Sequence, residues 1–197
     1  MSKSDEIAEI KDTIVEALMA NAVFDGLDWN AVESAAEQSG YDKPMARAVF
    51  VNGLESALGH FADMVDRKML AALGSVDIED MRIRDRVTLA VQKRLEILSP
   101  YKEAVKQATL YWSMPPRSIA ASKLVWRTAD CIWNWAGDTS KDYNYYTKRG
   151  LLSGVLTSTM MAWIGEDGDD LDNSFAFLDR RIENVMQLGQ IIGRIKR

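Results

Sequence analysis

Apolar residues recur at intervals of three and four along almost the whole chain. Its four prolines, Pro44, Pro100, Pro115 and Pro116, stand only where that rhythm stops or restarts. A half-buried strand needs strict alternation, with its Val and Ile gathered into short runs between turn dipeptides. Here Val and Ile are scattered. The chain is therefore expected to be all-α. At 197 residues it buries enough surface to need no disulfide or metal staple. One Cys and one His exclude a disulfide framework, a zinc finger and a di-iron site built from two Glu-x-x-His motifs.

The periodicity predicts a first helix over about 5–20, with Ile7, Ile10, Ile14, Ala17 and Leu18 as its stripe. Asp28 is placed to cap a short helix over 29–38 that Ser39-Gly40 ends, and Asp42 to cap a third with Pro44 in its first turn. A longer fourth helix carries Leu54, Leu58, Phe61, Met64, Val65, Met69 and Leu73. Longer helices follow over about 78–98 (Ile83, Val87, Ala90, Val91, Leu95, Leu98 on one face), 101–113, 115–136 and onward to 163. The last begins after the acidic loop 166–173, capped by Asp172 or Asn173. No internal repeat is visible.

Three small helices followed by a larger bundle is the TetR-type architecture. It divides the chain into an HTH-like module, 1–50, and a ligand-binding and dimerisation bundle, 51–197. A DNA reader should be basic where it meets phosphate. Residues 1–50 carry Lys3, Lys11, Lys43 and Arg47 against ten acids, a net −6 within a chain of net −5. The putative recognition helix offers Lys43 and Arg47 alone. A transcriptional regulator with an apolar effector is the alternative reading, and this charge stands against it. No nucleic-acid partner is expected.

Catalytic chemistry finds no constellation. His60 lies in a helical run, and Cys131 reads as a small buried hydrophobe. The acidic loop fails the calcium-loop spacing, because its sixth position from Asp167 is Asp172 rather than Gly. No enzyme activity, metal or cofactor is expected. The amino end is acidic and shows no secretory signal, which predicts a cytoplasmic protein. Residues 150–164 carry no formal charge but are too few to span a bilayer.

Five of six Trp lie after residue 110. Tyr145, Arg149, Leu152, Leu156, Met160 and Trp163 make one helical stripe with a cation near its amino end. Such a stripe suits a slot for an apolar tail with the cation at a headgroup, and equally a snorkelling Arg above an ordinary core. Gly150 and Gly154 on a neighbouring face suit close approach of a second helix, with a symmetric dimer built partly from the last two helices. Residues 191–197 form a basic, apolar tail.

The stretch GDTSKDYNYYTKR at 137–149, with MRIRDRVTLAVQKRLEIL at 81–98 and FAFLDRRIENVMQLG at 175–189, resembles the ubiquinone-biosynthesis lipid-binding accessory proteins. These form a TetR-like family acting with demethoxyubiquinone hydroxylase. The resemblance implies a non-enzymatic, dimeric protein that holds an isoprenoid quinone precursor or a phospholipid and presents it to a membrane-bound hydroxylase at the inner membrane surface. It places Arg149 at the lipid headgroup, and the helical stripe then sets Leu152, Leu156 and Met160 along the tail. It places Trp133, Trp135, Asp142, Tyr145 and Tyr146 on a partner-facing surface. Tyr145 and Tyr143 stand where the family commonly has Trp and Phe.

Overall fold

The computed structural model describes residues 2–168 and 170–195, with side chains as far as residue 187. All regular structure among the described residues is helical. The helices are α1 (Lys3–Asp25), α2 (Trp29–Gln38), α3 (Lys43–Val49), α4 (Leu54–Leu73), α5 (Ile83–Leu98), α6 (Lys102–Ser113), α7 (Ser118–Trp135), α8 (Tyr143–Gly165) and α9 (Asp172–Ile195). Tight 3₁₀ turns at Ser99–Tyr101 and Pro115–Arg117 mark the two later proline sites.

Short-range chemistry accounts for most boundaries. Ser2 and Asp5 form a reciprocal capping box on α1. Asp28 accepts from the Ala31 N–H and Asp42 from the Met45 N–H, each capping its helix as the sequence predicts. Gly40, at φ 83°, lets α2 end in a Schellman turn: Tyr41 N–H donates to the Ala36 carbonyl and Gly40 N–H to that of Glu37.

Three boundaries differ from expectation. Helix α1 runs on to Asp25, because Ala22 is still fully buried and the first residue at positive φ is Gly26. Helix α5 starts at Ile83 rather than 78: the Asp77 side chain accepts from the Glu79 N–H and Met81 N–H donates to the Ile78 carbonyl, winding that segment into turns. Ile83, at the frayed start, is exposed rather than on the buried face. In the acidic loop it is Asp170 that accepts from the Asp172 N–H, two positions before the nearer of the expected caps.

The helices gather into two compact units. One holds the chain up to Lys68 together with Leu98–Ala121; the other holds Met69–Ile97 and the chain from Ser122. In the first, α2 and α6 lie against α1, and Ile14, Leu18, Val32, Phe50 and Met64 are buried. His60 is satisfied there, its Nε2 2.6 Å from an Asp12 carboxylate oxygen that Arg67 also contacts. The second unit is built on Met69, Leu73, Val87, Val91, Ile132, Leu152, Val155, Leu178 and Ile182. Cys131 packs against that core. The side chains of the basic tail at 191–197, and of Ile192, fall outside the described residues. No described helix is long and apolar enough to cross a membrane.

Candidate functional site: the α7–α8 corner

The motif at 137–149 begins where α7 ends. Gly137 adopts φ 90° and closes a second Schellman turn, with Gly137 N–H donating to the Asn134 carbonyl and Asp138 N–H to that of Trp133. No basic residue lies in the last turn of α7. The need is met from α5, where the Arg86 Nη1 donates to the Ala136 carbonyl at 3.0 Å and its Nε to the Met81 carbonyl. A Cβ on residue 137 would stand 3.3 Å from that Nη1, so both backbone angle and space favour Gly. The chain then reverses, and Asp142 caps α8 by accepting from the Asn144 N–H.

This reversal brings α7 and α8 together around one cation. Arg149 is 1% exposed. Its Nε donates to Asp130 Oδ1 at 2.5 Å, its Nη1 to Asp138 Oδ2 at 3.0 Å, and its Nη2 to Asn134 Oδ1 at 3.2 Å. The Tyr145 ring lies 3.5 Å from the guanidinium carbon, and its hydroxyl donates to the same Asp130 oxygen. The other Asp138 oxygen accepts from Lys148 Nζ at 2.7 Å and the Ser140 hydroxyl at 2.8 Å. Trp133 donates its indole N–H to the Lys148 carbonyl, which ties its ring inward.

The electrostatics follow from this packing. Burial pushes the Asp138 carboxyl up, but hydrogen bonds from Lys148, Ser140 and Arg149 outweigh it and hold the group well below the usual aspartate range. Burial likewise works against charge on Arg149, and the bonds to Asp130 and Asp138 overcome it. The hydrogen bond to Asp130 raises the Tyr145 phenol. Each group is locked in its neutral-pH protonation state. The corner is a brace fixing the angle between α7 and α8, rather than a proton-transfer site.

The sequence expectation set Arg149 at the mouth of an apolar slot, facing a headgroup. The structure encloses its guanidinium with two carboxylates, an amide and a ring, because α7 supplies polar partners on its facing side. Leu152 is buried in the core and Leu156 packs against it, half-buried; Met160 is half-buried farther along α8. Trp133 and Trp135 pack against the same core. Of the expected partner surface, Asp142 and Tyr146 are exposed, beside exposed Tyr143, and the Tyr146 ring lies 6.3 Å from that of Trp126. Sequence reading missed Asp130, Asn134, Asp138 and Lys148. For the three acceptors the signal was the i, i+4, i+8 spacing of 130, 134 and 138 across the end of α7.

In the HTH-like region both cations of α3 are already engaged. Glu33 Oε1 accepts from Arg47 Nε and Nη2 at 2.9 and 2.7 Å and from the Trp29 indole at 2.9 Å, and Lys43 lies 3.8 Å from Oε2. The Arg47 hydrogen bonds hold the Glu33 carboxyl below its ordinary range, so it stays charged against them. Among the described residues, no group of three or more His, Cys, Asp or Glu is placed to hold a metal ion.

The family model described as COQ9 matches residues 119–189, which include nearly all of α7, all of α8 and most of α9. The chain is similar to the COQ9 proteins. "Ubiquinone biosynthesis protein COQ9, mitochondrial" of Rattus norvegicus is 29% identical over 180 residues, covering 90% of this chain and 56% of that protein. COQ9-A of Xenopus laevis is 35% identical over 107 residues, covering 54% of this chain and 33% of its own length. The chain thus spans between a third and little more than half of the length of these COQ9 relatives. The resemblance carried by 81–98, 137–149 and 175–189 is borne out. A solved structure titled as a TetR transcriptional regulator from Nitrosomonas europaea superposes with a TM-score of 0.73 at 18% identity, covering 91% of this chain and 99% of that one. The fold is all-α and TetR-like.

Proposed function

We propose that this protein is a non-enzymatic, lipid-binding accessory factor in ubiquinone biosynthesis. It holds an isoprenoid quinone precursor or a phospholipid and presents quinone intermediates to a membrane-bound hydroxylase. The observation that carries the reading is the COQ9 match over 119–189, the segment containing the α7–α8 brace. In this reading the brace sets the angle of α8, whose Leu156 and Met160 flank the lipid tail, and presents Tyr143 and Tyr146 to the partner enzyme. Arg149 acts by positioning α8, since its donors are occupied by protein. A homodimer forms along the exposed α8 face of Gly150, Gly154 and Met161, where a Cβ on either glycine would meet open space.

The test is mass spectrometry of lipids extracted from the purified protein. Native protein is expected to carry isoprenoid or phospholipid, and Leu156→Trp to carry at least about ten-fold less while still unfolding in a cooperative thermal transition. Light scattering on the same sample reads the dimer. A native protein without lipid, or a folded Leu156→Trp with the full complement, overturns the assignment.

A repressor reading keeps only the fold in its favour. With Lys43 and Arg47 held by Glu33 and a net −6 over residues 1–50, no salt-dependent binding to duplex DNA is expected. A gel shift at low ionic strength checks this; retardation that fades steeply with added salt would restore the repressor.

A further inference from the structure

Serine and threonine inside a helix commonly turn their hydroxyl back to a carbonyl of the preceding turn. Helix α8 does so four times: Thr147 donates to the Tyr143 carbonyl, Ser153 to that of Arg149, Thr157 to that of Ser153 and Ser158 to that of Val155. On α7 the buried Thr128 donates to the Leu124 carbonyl. Thr159 breaks the series. It is 1% exposed, and among the described residues its hydroxyl has no hydrogen-bond partner. Ser174, in the first turn of α9, is 0% exposed, and its hydroxyl is unpartnered in the same way. A dry, unpaired hydroxyl is costly, and buried polar groups in native proteins are otherwise paired almost throughout.

Both residues belong to one compact unit, in which α8 packs against α9. Thr159 lies on the buried face of α8, one turn after Val155 and one turn before Trp163, both of them buried. Leu156, three residues before it, lies on the same side. Ser174 stands one turn before the fully buried Leu178. Each hydroxyl can both donate and accept, and each sits on an apolar helix face. The charge around them is of one sign. From Gly150 to Asp179 the chain has six acids and no Lys, Arg or His. The cations of this unit that are not on its surface, Arg86, Lys93, Arg94, Arg127, Lys148 and Arg149, are engaged within the protein.

We propose that Thr159 and Ser174 are the polar subsite for an uncharged, oxygen-bearing ring, a phenol or quinone, at the head of an apolar tail that lies along Leu156. The ring oxygens supply the partners that both hydroxyls lack. A phosphate would instead meet a stretch of six acids without a cation, so the subsite selects the ring over a phospholipid headgroup. Entry of the ring parts α8 from α9 locally, and the unpaired hydroxyls of the closed form lower the cost of that opening. The proposal rests on the lipid-binding function above, and it names which of the two ligand classes this site takes.

The experiment titrates the lipid-stripped full chain with three probes: a ubiquinone with a two-isoprene tail, farnesene as a tail without a ring, and a short-chain phosphatidylcholine. Quenching of tryptophan fluorescence reads the quinone, and its displacement reads the other two. Native protein should bind the quinone about ten-fold more tightly than either. Thr159→Val and Ser174→Ala should each weaken the quinone about five- to ten-fold and leave farnesene unchanged. Thr159→Ser keeps the hydroxyl and should stay within about two-fold of native. Without ligand, Thr159→Val should unfold at or above the native midpoint, because it removes an unpaired hydroxyl and keeps the branched shape. A lower midpoint would show that the hydroxyl is bonded in the free protein, and it overturns the proposal. So does quinone binding at native strength by both variants, an equal loss of quinone and farnesene, or phosphatidylcholine held by native protein as tightly as the quinone. A native chain that binds none of the three probes sinks the lipid-binding function and this subsite with it. Binding of the probes that both substitutions leave untouched sinks the subsite alone.

Discussion

Arg149→Ala is expected to destabilise the protein by about 3–5 kcal/mol, because it breaks the buried pairing with Asp138 and the bonds to Asp130 and Asn134, leaving Asp138 with the partly exposed Lys148 as its cation. The Asp138 side chain is 3% exposed and one of its oxygens faces only Arg149 among the ion pairs described, so water cannot readily replace the guanidinium. Asp130, about one-third exposed, rehydrates more easily and adds less. For a chain of this size the loss corresponds to a fall of roughly 6–20 °C in Tm. Arg149→Lys should recover only part of it: one ammonium cannot span Asp130, Asp138 and Asn134 as the planar fork does. The combined variant Arg149→Met with Asp138→Asn should be more stable than Arg149→Ala, because the buried carboxylate that lost its guanidinium is then neutral. Thermal and urea denaturation of the three variants check the set. An Arg149→Ala protein that unfolds at the native midpoint would show that the corner hydrates freely and braces nothing. The sequence alone pointed to a different experiment, in which Arg149→Ala weakens only lipids that bear a headgroup. With the guanidinium enclosed, any loss of lipid should instead accompany the loss of stability.

Acid should unfold the protein in two stages. His60 is held below its ordinary 6.5, because burial disfavours the charged ring more than hydrogen bonding to Asp12 restores it. The unfolded chain therefore binds this proton more readily, so stability starts to fall as pH drops below 6.5. The second stage belongs to the carboxylates. Asp138 and Asp12 sit below an ordinary 3.8 and Glu33 below 4.5; burial opposes the shift in the two aspartates, and their hydrogen bonds with cationic partners prevail. A depressed carboxyl contributes stability that is complete above its unfolded value and is lost as pH falls through its folded value. The decline should therefore steepen below about pH 4.5. His60→Gln should flatten the first stage, and Asp138→Asn should weaken the second while lowering stability at neutral pH. Denaturant midpoints measured from pH 8 to pH 3 check both. A midpoint constant over that range would mean these groups hydrate alike in both states.

Much of the fold was legible in the chain. The three–four spacing selected helix over strand everywhere, and Asp28, Gly40 and Asp42 marked boundaries because capping depends on atoms within four residues of each other. The same locality explains the errors. The turn at 78–82 depends on an Asp77 side chain competing for backbone N–H groups, and apolar spacing does not register that competition. The match with COQ9 proteins was legible as well, from the ordered blocks at 81–98, 137–149 and 175–189.

Arg149 shows where local reading stops. Its place on an apolar stripe of α8, one turn after Tyr145, is a property of the chain. Whether that stripe faces a slot or another helix depends on which residues a neighbouring element sets opposite it. Asp130, Asn134 and Asp138 lie 11 to 19 residues away, and only the Schellman turn at Gly137 brings them round the guanidinium. Glu33 meeting Lys43 and Arg47 is of the same kind, as is Arg86 reaching the Ala136 carbonyl just past α7 from a different helix. By itself the sequence determined the helices, their caps, the acidic balance of the first fifty residues and the family likeness, since each depends on neighbours along the chain. Tertiary structure alone decided which charges neutralise one another and which apolar side chains stay open, because a charge buried against a distant partner has no signature in its own neighbourhood.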